Sequence, residues 1–169
     1  MAWRRSVAER FAAQPSRLQG HRLCPWARVL TVFHACKSVE LAESICKGGF
    51  AALAERDPGF YGQGLYFTGD LDYAAGTYGR TMLDGDLGMT VLVCDLAVGN
   101  AYPVIEHPDG ADSLKGRPQV PKYDVHVAYV ADKAPCPPER WATKTVYSEL
   151  VVFENAAVLP RFILSLGVR

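Results

Sequence analysis

The chain has 169 residues, 49% of them hydrophobic and 21% charged, which suits one globular core and leaves no room for tandem domains. Eighteen Lys+Arg balance eighteen Asp+Glu, so the basic field that gathers nucleic acid is missing and neither DNA nor RNA is expected as the main partner. No apolar run reaches the roughly 18 residues of a bilayer crossing, and the opening Met-Ala-Trp-Arg-Arg-Ser lacks the apolar stretch of a Sec-type signal peptide, so no membrane partner is expected.

Residues 1–29 read as an N-terminal extension ahead of a main domain at 30–169. Arg4, Arg5, Arg10, Arg17, Arg22 and Arg28 stand in it, and Ser6-Val7-Ala8-Glu9 has the spacing of a capping box. The segment is either a short docked amphipathic helix or a solvated lead-in. From 28 to 34 the β-branched and aromatic run predicts a buried strand. Ser38 caps the helix expected next, in which Leu41, Ala42 and Ile45 recur at helical spacing before Gly48-Gly49 stops it. A polar loop at 55–63 then leads into a short strand, Gly64-Leu65-Tyr66-Phe67, and Asp70 caps a second helix expected to run through Tyr78.

The apolar run at 89–98 predicts a central strand buried on both faces. Residues 99–125, with Pro103, Pro108, Gly110, Gly116, Pro118 and Pro121, read as a long surface connection. Further strands are expected at 126–130, 146–153 and 162–166, with a Pro-rich segment at 131–144 and Pro160 ahead of the last. Few short helices among five or six irregularly spaced strands predict an α+β fold on a mixed or largely antiparallel sheet.

Cys24, Cys36, Cys46, Cys94 and Cys136 are odd in number and contain no Cys-x-x-Cys pair, so free thiols in a reducing, cytoplasmic setting are expected rather than a zinc site. Cys36 stands out for lying two residues beyond His34. Nothing in the spacing of His107, His126 and Cys136 demands a metal, and Asp84-Gly85-Asp86 does not continue into a calcium loop. Gly62-x-Gly64 lacks the third glycine of a dinucleotide fingerprint.

Three polar side chains fall on predicted strands: His34, Tyr66 and Glu149. Singly, each has an ordinary reading as a satisfied core histidine, a core aromatic or a solvent-facing carboxylate. A carboxylate taken out of water costs several kcal/mol unless it is paired or hydrogen-bonded, so Glu149 demands a partner if it is buried.

The blocks Phe33-His34-Ala35, Gly49-Phe50, Gly59-Phe60-Tyr61-Gly62-Gln63-Gly64-Leu65-Tyr66-Phe67, Tyr78 and Ser148-Glu149-Leu150-Val151-Val152-Phe153 follow one another in a recognisable order. Together they resemble the catalytic domain of the poly(ADP-ribose) polymerase-like ADP-ribosyltransferases, of the His-Tyr-Glu, diphtheria-toxin-like type. Asp112-Ser113-Leu114-Lys115-Gly116 and Val158-Leu159-Pro160-Arg161-Phe162-Ile163 extend the resemblance over about residues 30–167.

The resemblance implies a split-sheet α+β fold and NAD+ as co-substrate, with no metal. It makes His34 the group that binds the adenosine ribose and Tyr66 the one that holds the nicotinamide ribose, while Tyr78 stacks on the nicotinamide ring. The backbone of Ala35 would bind the carboxamide, Phe67, Gly62 and Gly64 would complete the cofactor site, and Glu149 would stabilise the developing ribosyl cation. Ala74 or Ala75 falls where the family carries a serine for the carboxamide, and Tyr73 stands beside it where polymer-forming members carry a lysine. The reading that follows is a monomeric, NAD-dependent mono-ADP-ribosyltransferase acting on a protein side chain. The resemblance extends to bacterial effector members delivered into a host cytosol, including some that act on ubiquitin. An NAD glycohydrolase and a non-catalytic NAD or ADP-ribose reader are the alternatives, and readers in this superfamily tend to lose the glutamate.

Overall fold

The computed structural model describes residues 5–19, 28–50, 59–79, 89–105, 114–131, 134–136 and 138–167. Its centre is β3 (Met89–Val98), the run expected to be buried on both faces, in which Val91, Leu92, Cys94 and Leu96 are wholly out of solvent. β3 pairs antiparallel with β1 (Arg28–Cys36) on one side and with β8 (Val158–Leu166) on the other. β2 (Leu65–Thr68) continues the sheet beyond β1, followed by β7 (Tyr147–Val152), β5 (Val125–Ala131) and β4 (Ala101–Val104). A two-residue strand, β6 (Ala134–Pro135), pairs with β5, and only β4 and β5 run parallel. The fold is α+β on a mixed sheet, as the strand spacing predicts.

Three expectations need correction, each for a physical reason. The connection expected at 99–125 contains β4, and β4 carries Pro103. The missing N–H of a proline costs nothing on the outer side of an edge strand, and β4 lies at one edge of the sheet. The opposite edge is β8, which starts at Val158 rather than 162 and runs through the buried Pro160. A register shift opposite Val93 and Cys94 absorbs the extra residue, Arg161. The helix capped by Asp70 is α-helical only in α3 (Leu71–Tyr73) and widens to a π-turn over Ala74–Gly79. Gly76 and β-branched Thr77 are poor α-helix formers, and the wider turn keeps Ala74 and Ala75 packed with Val91 of β3.

Two further helices clothe the sheet. α1 (Arg5–Gln19) buries Val7, Gln14 and Leu18 and packs on β3, β8 and the turn Asn155–Ala157. Its arginines reach neighbours, since Arg17 pairs with Glu154 at 3.4 Å and Arg10 donates to the Gly48 carbonyl. In α2 (Val39–Gly48), the Ser38 hydroxyl accepts the Leu41 N–H at 3.2 Å and Gly49, at φ +84°, closes the other end. Ala42, Ile45 and Cys46 of α2 join Val32, Phe50, Phe67, Leu92 and Leu150 in the main core. Among the described residues no helix is long and apolar enough to cross a membrane.

The entry to β2 is packed too closely for any side chain. A Cβ on Gly64 would stand 2.6 Å from Val151 Cγ1 and 2.9 Å from the Val152 carbonyl oxygen. Gly64→Ala is therefore expected to lower stability by about 1–3 kcal/mol, the usual cost of overpacking, read as a fall in the urea midpoint.

Candidate active site

Among the described strands the ladder is shortest between β1 and β2. β1 meets β3 along all nine of its residues, yet it shares a single register pair with β2, Phe33 opposite Thr68. Past that pair the strands part, and a side chain takes over from the ladder: His34 Nδ1 lies 2.8 Å from the Tyr66 carbonyl oxygen. A carbonyl can only accept, so Nδ1 carries the proton and donates it. Burial holds the His34 pKa below its usual 6.5, partly offset by that bond, and the ring stays neutral. Nε2 is then left as an acceptor with no protein donor on it among the described residues. Phe50 meets the imidazole edge-on at 5.2 Å between centroids, and Phe67 lies tilted against it at 5.3 Å.

Strand alternation sorts the remaining groups. Tyr66 stands opposite Val151 and Thr68 opposite Glu149, so Tyr66, Thr68, Glu149 and Val151 share one face, joined by Phe33 and Ala128. His34 and Phe67 occupy the other face. His34 and Tyr66 thus stand on the two strands that part, and Glu149 stands one strand beyond β2 on the face it shares with Tyr66.

Tyr66 is anchored by the loop before it. Its hydroxyl donates to the Gly62 carbonyl and accepts the Tyr61 N–H, both at 2.9 Å. Gly59 at φ +57° and Gly62 at φ +128° make this tight return possible, and a Cβ on Gly62 would lie 3.0 Å from both His126 Nδ1 and Phe153 Cζ. His126, wholly buried, pins the same loop: Nδ1 donates to the Tyr61 carbonyl at 2.7 Å, and Nε2 accepts the Val120 N–H at 3.0 Å. Both ring nitrogens are used, in keeping with a strand residue rather than a metal ligand, and burial lowers its pKa as well. Backbone bonds from Gly116 to Gly59 and from Gln63 to Arg117 complete the clasp between the two loops.

Glu149 is buried, and the partner it requires is a tyrosine. The Tyr73 hydroxyl donates to Glu149 Oε1 at 2.6 Å. The Tyr73 ring stacks on Tyr147 at 4.5 Å and 17°, and its backbone is fixed by the helix cap, where Asp70 Oδ1 accepts the Tyr73 N–H at 3.0 Å. Asp70 N–H in turn donates to Thr68 Oγ1 at 3.1 Å, and Thr68 faces Glu149 across the ladder. The sequence placed Tyr73 three residues after a cap but carried no sign of Glu149 as its partner, 76 positions away.

The other expected site residues flank the seam. Ala35 is buried opposite Val91 in the part of β1 that has left β2. Ala74 and Ala75 are buried in the π-turn, and no hydroxyl stands at either place. Tyr78 lies in that turn, and its side chain falls outside the described residues, as do Cys24, His107, Asp112, Ser113 and 84–86. Cys36 is buried, and burial pushes its thiol up to about 12, which removes it as a nucleophile. Among the described residues no three His, Cys, Asp or Glu side chains gather as a metal set.

A family model described as the poly(ADP-ribose) polymerase catalytic domain matches residues 4–168. The chain belongs to that family. Its chemistry is NAD-dependent ADP-ribosyl transfer, with NAD+ as co-substrate and proteins as acceptors. The match also runs through α1. No curated protein matches the chain.

Half-buried His34 and wholly buried His126 both have folded pKa values below the unfolded 6.5. The unfolded chain therefore takes up more protons as pH falls through 6.5, and the stability they contribute above that pH is lost as pH drops towards the folded values. The urea midpoint is expected to fall between pH 7.5 and about 5.5, and a His126→Gln variant should show a shallower slope over that interval.

Proposed function

We propose that this domain transfers a single ADP-ribose unit from NAD+ to a protein side chain, with Glu149 as the catalytic carboxylate. The observation that carries the reading is a buried carboxylate that accepts a tyrosine hydroxyl and shares one face of the sheet with Tyr66, on the strand next to β2. In the reaction the bond between nicotinamide nitrogen and ribose carbon breaks, nicotinamide leaves with the electron pair, and the acceptor forms the new bond to that carbon and gives up a proton. A fixed negative charge beside the ribose favours the oxocarbenium-like transition state over the ground state.

The remaining roles follow from donor and acceptor chemistry. His34 Nε2, an open acceptor, suits a hydroxyl of the adenosine ribose. Tyr66, its hydroxyl anchored to the loop, would wall the nicotinamide ribose, with Phe67, Gly62 and Gly64 shaping the cleft and Tyr78 stacking on the nicotinamide. The carboxamide would rest on the Ala35 backbone alone, because Ala74 and Ala75 bring no hydroxyl. Single transfer is favoured because Tyr73 stands where polymer-forming members of the family carry a lysine beside the serine. Ubiquitin is the first acceptor to offer, in line with the effector-like resemblance.

The test is to incubate the chain with labelled NAD+ and either lysate or ubiquitin, following free nicotinamide and label on protein beside Glu149→Gln. Discrete labelled bands are expected, and the variant should lose about 10²- to 10⁴-fold in turnover while still binding NAD+. Nicotinamide release without labelled protein would make the enzyme a glycohydrolase instead. Binding without release would leave a reader and overturn the catalytic role of Glu149.

A further inference from the structure

We propose that Tyr73 is the positioning residue for Glu149, an inference that rests on the reading of Glu149 given above. A glutamate stem has three rotatable bonds, and in a buried setting only a directed partner selects one orientation of its carboxylate. Tyr73 supplies that partner through an O–H to O bond of 2.6 Å, in the short range that charge-assisted bonds reach. The phenol is itself constrained on two sides. Its ring lies flat on Tyr147, two residues before Glu149 on the same strand and face, and its backbone is tied through Asp70 to Thr68, the ladder partner of Glu149. Thr68, Asp70, Tyr73 and Glu149 thus close a circuit that spans β2, α3 and β7.

The chemistry of the partner matters as much as its geometry. A phenol fixes Oε1 without adding a positive charge of its own beside the carboxylate. Thr68 on β2, Ala128 on β5, Tyr147 on β7 and Tyr73 on α3 stand around Glu149, and none of these four is a cation. Tyr73 acts through Glu149 and has no part of its own in bond breaking.

Tyr73→Phe keeps the stacked ring and removes only the hydroxyl. The expected result is a fall in kcat for nicotinamide release of about 10- to 100-fold, with KM for NAD+ within about twofold; the melting temperature falls as well, because buried Glu149 loses the donor that offsets its desolvation. In a Glu149→Gln background the same change should have no further effect, because its route to the reaction is already gone. Tyr147→Leu, which removes the stacking surface and keeps the Tyr73 hydroxyl, gives a second reading if Tyr73→Phe fails to fold, and it should lower kcat with KM held. An active wild type matched by Tyr73→Phe would overturn the proposal, as would equal losses from Tyr73→Phe in both backgrounds. A wild type that releases no nicotinamide would overturn the parent reading and this one with it.

Discussion

The single register pair between β1 and β2 is the constraint on which the rest depends. A sheet normally satisfies backbone groups by pairing strand to strand along their length, and an unpaired stretch in the interior is costly unless something replaces the ladder. Here the replacement is an imidazole, whose Nδ1 bonds to the Tyr66 carbonyl and ties β1 to β2 where the ladder stops. The break in the ladder is therefore bridged by a titratable side chain. Phe50 and Phe67 fix the tilt of the ring, and their burial in the main core couples the seam to the stability of the whole domain.

Two histidines with similar surroundings do different work because of what meets their second nitrogen. In His126 it accepts the Val120 N–H, so the ring is fully used in holding the 59–64 and 114–124 loops together. In His34 it faces no protein donor among the described residues, and the unmet acceptor is what makes this ring suited to a ligand. Satisfied buried polar groups are structural, and unmet ones at an opening are the usual mark of function. Tyr66 falls between the two, with its ring at the seam and its hydroxyl committed to the glycine-rich return.

Glu149 shows how a buried charge becomes tolerable and useful at once. Its desolvation is offset by the Tyr73 phenol, and that phenol is rigid because a helix cap, a stacked ring and a strand threonine hold it. The glycines serve the same end by subtraction. At Gly62 and Gly64 the absence of Cβ lets the return before β2 lie against His126, Phe153 and β7, which brings Tyr66 and Glu149 onto one face.

Much of the architecture was legible locally. Ser38, Gly49 and Asp70 punctuate helices through bonds spanning three or four residues, and the continuous apolar run of β3 announces burial on both faces, so these elements follow from neighbours in sequence. Prolines misled only where a strand lies at a sheet edge, as in β4 and β8, because edge position is a property of the assembled sheet. The same division runs through the site. By itself the sequence determined which polar residues stand on strands, their order, the family they resemble and the demand of Glu149 for a partner. Only the tertiary structure decided that Tyr73 is a partner, that His126 is a pin while the second nitrogen of His34 meets no protein donor among the described residues, and that the β1–β2 ladder is a single pair. Those outcomes rest on contacts between residues far apart in the chain, and strand register, which no local pattern encodes, brings them together.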